Sequence, residues 1–257
     1  MATSLRTPCS TRDKLLRAQR AATRMAQLTT ADKNALLVAM ADAIATNAAN
    51  ITEANQADLD SSGLTGAMRD RLLLNPGRIA AMVSGVREVA SLPDPVGETI
   101  AEWSRPNGLR IRKVRVPLGV VGVIYESRPN VTVDCASLVL KTGNAIVLRG
   151  GKEAAHSNQM LVEILNRVDG VPEGAIELLD SSTRDSVHEL IKARGLVDVL
   201  IPRGALIGYS LEEDRRRHAI TDSGVVVVTQ DDEPLIGPIS EEALKFEAEA
   251  DRRGGGG

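Results

Sequence analysis

Two short polar segments contain residue types that suit a functional site, and each of them follows an apolar run. Ser-Arg-Pro-Asn occupies residues 127–130 after the run 120–125, and Arg-Gly-Gly-Lys occupies residues 149–152 after the run 145–148. The asparagine amide can donate a hydrogen bond to a developing oxyanion. Glycines flanked by cations allow a ligand to approach the backbone closely. The two segments therefore predict a functional site.

The elements around these segments form a β-turn-α-β unit. Both apolar runs are continuous in Val, Ile and Leu, which is typical of strands covered by helices on both faces. A segment with helical character, residues 131–141, separates them. Because ligands of such sheets bind at the carboxyl ends of the strands, both polar segments are expected at one edge of the sheet.

The alternation of helix and strand continues beyond this unit. Residues 155–168 and 183–194 are predicted as helices, and residues 175–179 and 197–201 as strands. The last strand leads into a third turn, Pro202-Arg203-Gly204. The predicted fold class is therefore α/β, with a doubly wound parallel sheet.

The N-terminal region predicts helices that precede the sheet. Two pairs have the spacing of capping boxes, Ser10 with Asp13 and Thr29 with Asp32. Asn75 followed by Pro76 supplies a cap and a first-turn proline for a further helix. The alanine-rich stretch between these starts is expected to break once and resume.

Residues 108–116 alternate between apolar and basic side chains, which predicts a half-exposed strand. This strand is expected to pair with residues 100–103 across the turn at 106–108, as a protruding β-ribbon. Its basic face fits an anion-binding groove or an ordinary solvated face, and the second is the commoner placement of Lys and Arg.

Composition restricts the class of protein and its partners. The 257 residues are 43% hydrophobic and 25% charged, with a formal net charge of −3, which is typical of a soluble globular protein. No nucleic-acid or membrane partner is expected from so small a charge. Two cysteines without framework spacing, and no signal peptide, predict a cytoplasmic protein. The three histidines lack metal-ligand spacing, so no metal is expected.

The segments IYESRPNVTVD, KTGNAIVLRGG and VDVLIPRG resemble the γ-glutamyl phosphate reductase (glutamate-5-semialdehyde dehydrogenase) family, part of the aldehyde dehydrogenase superfamily. The similarity runs from Leu15 to about Gly204 and decays beyond it. It implies NADPH-dependent reduction of L-glutamyl 5-phosphate to L-glutamate 5-semialdehyde with release of phosphate, in proline biosynthesis. It also implies that the ribbon serves oligomerisation, so a homo-oligomer is expected as a third interpretation of that element.

The resemblance assigns roles to the polar turns. It implies that Asn130 donates to the oxyanion, although the residue also fits a helix N-cap ahead of Val131. Residues 149–152 correspond to the part of the superfamily that receives the adenosine ribose. Lys152 stands where NAD-preferring members often have an acid, which favours the 2′-phosphate of NADP(H), although a plain strand-to-helix turn is the alternative. The expected cofactor-binding residues are Arg149, Gly150, Gly151, Lys152, Pro202, Arg203 and Gly204.

The nucleophile of the family is absent from this sequence. The resemblance implies a cysteine thiolate that displaces phosphate, within a segment like Glu-Thr-Gly-x-Gly-Asn-Cys-His. Here the aligned residues 220–225 continue directly into 226–232, without the Gly-Asn-Cys-His portion. Cys135 is expected to be a buried, inert thiol on a helix. The chain alone is therefore predicted to have little or no reductase activity.

Four regions are predicted along the chain. Residues 1–96 are N-terminal helices packed on the nucleotide-binding domain, 97–116 the ribbon, 117–230 a Rossmann-like NADP-binding domain, and 231–257 an acidic, disordered tail. The alternative function is a non-catalytic nucleotide-binding or subunit-interaction module, either a pseudoenzyme or a truncated product.

Overall fold

The computed structural model describes residues 10–203, so the predictions for residues 1–9 and 204–257 lie outside the described part. The helices that precede the first strand are α1 Thr11–Met25, α2 Thr30–Thr46, α3 Ala48–Ser61, α4 Gly66–Leu72 and α5 Pro76–Ser91. The remaining elements are β1 Thr99–Ser104, β2 Arg110–Val114, β3 Val120–Tyr125, α6 Asn130–Lys141, β4 Ala145–Arg149, a short 3₁₀ helix Lys152–Ala154, α7 Ala155–Asn166, β5 Ile176–Leu178, α8 Asp185–Ile191 and β6 Val199–Arg203.

The helix starts lie where the caps predict them. The hydroxyls of Ser10 and Thr29 accept hydrogen bonds from the third residue of α1 and α2, and both capping boxes are complete. Asn75 accepts from the backbone N–H of Arg78 at 2.8 Å and so caps α5. The predicted break falls at Asn47, between α2 and α3. α4 was not predicted, because seven residues that begin with glycine carry little periodic signal.

Within residues 10–203 the sheet has four parallel strands in the order β5-β4-β3-β6. The chain moves from β3 outward through β4 to β5 and then returns to the other side of β3 with β6. The direction of winding therefore reverses between β3 and β6, which is the topological switch point of a doubly wound sheet. The predicted fold class is confirmed.

Helices cover both faces of this sheet. α6 and α7 contact β3, β4 and β5 on one face. On the other face α1 contacts the same three strands, and it also contacts α8. Arg17 of α1 reaches the nearly buried carboxylate of Glu177 in β5 at 2.7 Å. α2 and α5 pack chiefly on each other, and α2, α3 and α5 all contact α6 or α7, so they form a further layer outside the sheet.

β1 and β2 form a separate antiparallel ribbon, as predicted. The expectation of a half-exposed strand is wrong within the described chain. Every residue of β1 is exposed, and Ile111 is the single partly buried residue of β2. The apolar side chains on this ribbon and on the segment between β2 and β3, among them Trp103 and Val116, have no covering element in the part of the chain that the structure describes.

Within residues 10–203, no single helix has both the length and the apolar composition needed to cross a membrane. α2 and α3 meet that criterion only as a pair bent by 67°. Both helices bury apolar side chains in the core, including Leu37, Ile44 and Ile51.

Candidate functional site

The first polar segment forms the turn from β3 into α6. Pro129 occupies the N-cap position without a side-chain cap bond, and Asn130 is the first residue of the helix. The Asn130 amide instead donates to Asp134 Oδ2 at 3.0 Å, one turn further along α6. The interpretation of Asn130 as an N-cap is therefore wrong, and its amide is oriented by a carboxylate.

The second polar segment forms the turn from β4 into α7. Arg149 Nη2 donates to the carbonyl of Thr183 at 2.9 Å, which ties the end of β4 to the loop after β5. Lys152 begins the 3₁₀ helix with an exposed side chain. Within residues 10–203 its ammonium group has no hydrogen-bond or ion-pair partner.

The two glycines of this turn are required by close packing. A Cβ on Gly150 would lie 2.3 Å from Asn158 Nδ2 and 3.0 Å from Tyr125 Cζ. A Cβ on Gly151 would lie 3.3 Å from the backbone nitrogen of Ser127. The glycines therefore let the β4–α7 turn lie directly against the β3–α6 turn, which places both polar segments together at the carboxyl edge of the sheet.

A buried hydrogen-bonded chain supports the two turns from behind. The Tyr125 hydroxyl lies 2.6 Å from Thr132 Oγ1, which in turn lies 2.8 Å from Asn158 Oδ1. Burial raises the pKa of the Tyr125 phenol well above its ordinary value, so the hydroxyl stays protonated. These residues were not predicted, because their spacing along the sequence does not reveal that β3, α6 and α7 meet here.

The prediction of a third turn is wrong for Pro202 and Arg203, which are the last two residues of strand β6 because the pairing with β3 continues through them. Pro202 of β6 pairs with Ile124, and Arg203 pairs with Tyr125, so β6 ends next to β3 at the switch point. Pro202 is buried. Gly204 lies outside the described residues, as does the segment 220–232 in which the family's cysteine is missing.

A cleft of about 360 Å³ opens between α4, α5 and the first turn of α6. Arg128, Asn130 and Asp134 form its wall on the α6 side, and Arg71, Arg78 and Met82 are among the residues opposite. Residues 149–152 do not line it. The β3–α6 turn therefore contacts two different parts of the molecule. Its residues Arg128 and Asn130 line the cleft, and its residue Ser127 lies against the β4–α7 turn.

Cys135 lies on α6, one residue after Asp134. Within the described residues it forms no disulfide, and it is only partly buried, so the expectation of a buried cysteine is wrong. Its position on α6, packed against the main core, still gives it the surroundings of a structural residue.

A parallel sheet with helices on both faces, and with polar turns meeting at a switch point, defines a doubly wound α/β protein of the class that binds ligands at that edge. The sequence pattern described as the aldehyde dehydrogenase family matches residues 7–202. The chain belongs to the aldehyde dehydrogenase family.

Individual relatives narrow this assignment. The chain is 64% identical over 205 residues to a γ-glutamyl phosphate reductase of Koribacter versatilis, covering 79% of this chain and 50% of that protein. It is 53% identical over 194 residues to the enzyme of the same name from Moorella thermoacetica, covering 73% and 46%. The crystal structure of γ-glutamyl phosphate reductase from Thermotoga maritima superposes with a TM-score of 0.75 at 36% identity, covering 85% of this chain and 52% of that one.

These comparisons confirm the resemblance to γ-glutamyl phosphate reductases and the aldehyde-dehydrogenase-like fold. They also bear on the extent of the chain, which spans about half the length of the curated relatives that it matches.

Proposed function

We propose that this chain is the cofactor-binding half of a γ-glutamyl phosphate reductase. The whole protein would reduce L-glutamyl 5-phosphate to L-glutamate 5-semialdehyde with NADPH and release phosphate, a step of proline biosynthesis in the cytoplasm. The observation that carries the proposal is the contact between the β3–α6 and β4–α7 turns at the carboxyl edge, beside the switch point. Identity of 64% to a reductase supports the same conclusion.

The residues at this edge suit a phosphorylated dinucleotide. Lys152 presents an exposed ammonium group that no residue in 10–203 neutralises, so a ligand phosphate would provide its counter-charge. We assign the 2′-phosphate of NADPH to this group, with Gly150 and Gly151 shaping the turn and Arg149 fixing its start. Pro202, Arg203 and Gly204 would border the cofactor at the end of β6. When bound, the cofactor supplies the hydride.

Asn130 is assigned to the oxyanion of the reacting carbonyl. One N–H of its amide is committed to Asp134, which leaves the second N–H as a donor whose direction is fixed. A donor held in place before the reaction stabilises developing charge without reorganisation. Asp134 would thus act as a positioning residue.

We retain the predicted regions as part of the proposal. Residues 10–96 and 117–203 would build the nucleotide-binding unit, and 97–116 would mediate contact between copies of the chain. The predictions for residues 1–9, 204–230 and 231–257 lie outside the described residues. Since the sequence lacks the Gly-Asn-Cys-His segment, we expect this polypeptide alone to have no measurable reductase activity. A non-catalytic nucleotide-binding module remains the second candidate, and the missing nucleophile segment favours it.

The test of cofactor choice compares NADPH with NADH by isothermal titration. The wild-type chain is expected to bind NADPH more tightly, and Lys152→Glu should weaken NADPH binding by about tenfold or more while changing NADH binding little, since a charge-assisted hydrogen bond contributes about 1.5–3 kcal/mol. Lys192→Glu is the matched control, because Lys192 is also exposed but follows α8 at the opposite edge of the sheet. If Lys152→Glu weakened the binding of NADPH and NADH equally, or weakened neither, the assignment of Lys152 would be contradicted.

Catalysis is tested by single-turnover oxidation of NADPH with L-glutamyl 5-phosphate. We expect none from the chain alone. Turnover that disappears in Cys135→Ala would show that Cys135 acts as a nucleophile and would overturn this part of the proposal.

A further inference from the structure

The cleft between α4, α5 and α6 contains charges of both signs. Its lining includes three arginines and two aspartates. Leu73, Leu74, Ala81 and Met82 supply apolar surface between them. A volume of about 360 Å³ falls within the usual range of small-molecule sites. The cleft therefore has the size and the chemistry for a small ligand that combines charges with a short apolar chain.

Two of the three arginines already have contacts within the protein. Arg78 Nη2 pairs with Asp70 at 2.9 Å, and Arg78 Nη1 donates to the carbonyl of Leu73 at 2.8 Å. Arg71 Nη1 lies 3.8 Å from the sulfur of Met68. The pair of Arg78 with Asp70 compensates one positive and one negative charge on this wall of the cleft.

Arg128 differs from them. Its side chain is exposed on the turn between β3 and α6, and within residues 10–203 no carboxylate, carbonyl or hydroxyl accepts a hydrogen bond from it. A guanidinium group is suited to bind a carboxylate through two parallel hydrogen bonds. Arg128 thus points to an anionic group of a ligand as its partner.

Asn130 and Asp134 lie beside Arg128 in the same wall. Asp134 accepts from the Asn130 amide at 3.0 Å through Oδ2, which places a carboxylate in the same wall as the Arg128 guanidinium. If Asn130 contacts the reacting carbonyl, then the α-carbon of a glutamyl group is three C–C bonds away, roughly 4 Å in an extended chain. The amino-acid end of such a substrate would therefore lie within the cleft.

We propose that this cleft binds the α-amino-acid end of the substrate, with Arg128 holding the α-carboxylate and Asp134 accepting a hydrogen bond from the α-ammonium group. This inference rests on the proposed function, and it names the part of the substrate that the chain recognises. A cleft lined by both positive and negative side chains suits a zwitterion better than a phosphate group, because Asp70 and Asp134 would repel a doubly charged anion.

The test measures binding of three ligands to the chain by titration calorimetry. L-Glutamate has both groups of the amino-acid end, glutarate lacks the ammonium group, and 4-aminobutyrate lacks the α-carboxylate. We expect L-glutamate to bind at least tenfold more tightly than either of the other two. Arg128→Gln should abolish the preference for L-glutamate over 4-aminobutyrate. The variant should still bind L-glutamate more tightly than glutarate.

Two controls separate the possible failures. Arg20→Gln removes the same charge from an exposed position on α1, on the face of the sheet away from the cleft, and should leave all affinities unchanged. NADPH affinity is measured for each variant and should also be unchanged. The inference is overturned if the wild-type chain binds L-glutamate and 4-aminobutyrate equally, or if Arg128→Gln keeps the preference of the wild type. The proposed function still stands in either case if the chain binds NADPH. Tighter binding of inorganic phosphate than of L-glutamate would overturn the inference too, and would assign the cleft to the phosphate group.

Discussion

At the scale of single residues, Gly150 shows how packing and function share one position. The resemblance alone suggests that this glycine opens the backbone to a cofactor. In the structure, the volume that a side chain would occupy is already filled by Tyr125 and Asn158. The contribution of Gly150 to the site is therefore indirect, because it allows two turns to meet.

Gly150→Ala is expected to destabilise the chain by about 1–3 kcal/mol, the usual cost of adding a methyl group to a filled space. Urea unfolding would measure the change. Gly85→Ala is the matched control, since Gly85 lies in the middle of α5 with no atom within 4 Å of an added Cβ. That substitution should stabilise by about 0.5–1 kcal/mol. Equal effects of the two substitutions would show that the space beside Gly150 is not filled.

At the scale of elements, a buried charge cluster joins three parts of the helical layers. Lys33 of α2 lies 2.5 Å from Asp94, which follows α5. Lys141 of α6 donates to Asn34 at 2.5 Å and to the carbonyl of Ala90 at 2.8 Å. Burial lowers the pKa of Lys141, and the charge of Asp94 opposes that effect. One carboxylate therefore compensates two buried cations.

Asp94→Asn should destabilise the chain by about 3–5 kcal/mol, because it leaves buried cations without a counter-charge. The free energy of unfolding at pH 7 is the measurement. Asp42→Asn removes a carboxylate from the exposed pair with Arg87 and should cost at most about 1 kcal/mol. If both variants lost the same small amount, the cluster would have no role in joining the helices.

The same carboxylate predicts a dependence on pH. Burial acts to raise the pKa of Asp94, but hydrogen bonds from Lys33, Val96 and Thr30 outweigh it, so the pKa lies below 3.8. A pKa lowered by folding stabilises the folded state above the ordinary value and loses this contribution as the pH falls through the lowered one. The difference in unfolding free energy between wild type and Asp94→Asn should therefore be constant at neutral pH and shrink below about pH 3.8. A difference that grows in acid would contradict this assignment.

Elements with a strong local signal could be predicted from the sequence. Short apolar runs rich in Val and Ile locate β3 and β4, and capping residues locate the starts of α1, α2 and α5. The site was predicted only as far as its turns. Arg78 lies on α5, whereas Arg128 lies in the turn before α6 and Asp134 on α6, so the two walls of the cleft meet through tertiary packing. No spacing along the chain reveals such a meeting. The Tyr125–Thr132–Asn158 contacts escaped prediction for the same reason.

At the level of the whole molecule, an exposed ribbon stands out on a chain that spans about half the length of the curated relatives it matches. Ile100, Trp103, Leu109, Val114 and Val116 are each more than a third exposed. An apolar surface of this kind is typical of an interface between proteins. This observation supports the proposal that copies of the chain associate through residues 97–116.

Trp103→Glu is expected to shift the chain from an oligomer to a monomer, because it places a charge within the apolar ribbon. Light scattering at several concentrations would detect the shift. Val38→Glu is the control, since Val38 is 43% exposed and Trp103 44%, but Val38 lies on α2 away from the ribbon. A wild-type chain that is monomeric at every concentration would contradict the proposal.

The proposed function requires the carboxyl edge of the sheet to bind NADPH. Hydrogen–deuterium exchange of the chain with and without NADPH tests it most directly, because it locates the ligand on the sequence. We predict slower exchange in residues 126–130 and 149–154, with the ribbon unchanged. Unchanged exchange in both turns at a saturating concentration of NADPH would contradict the proposed binding site.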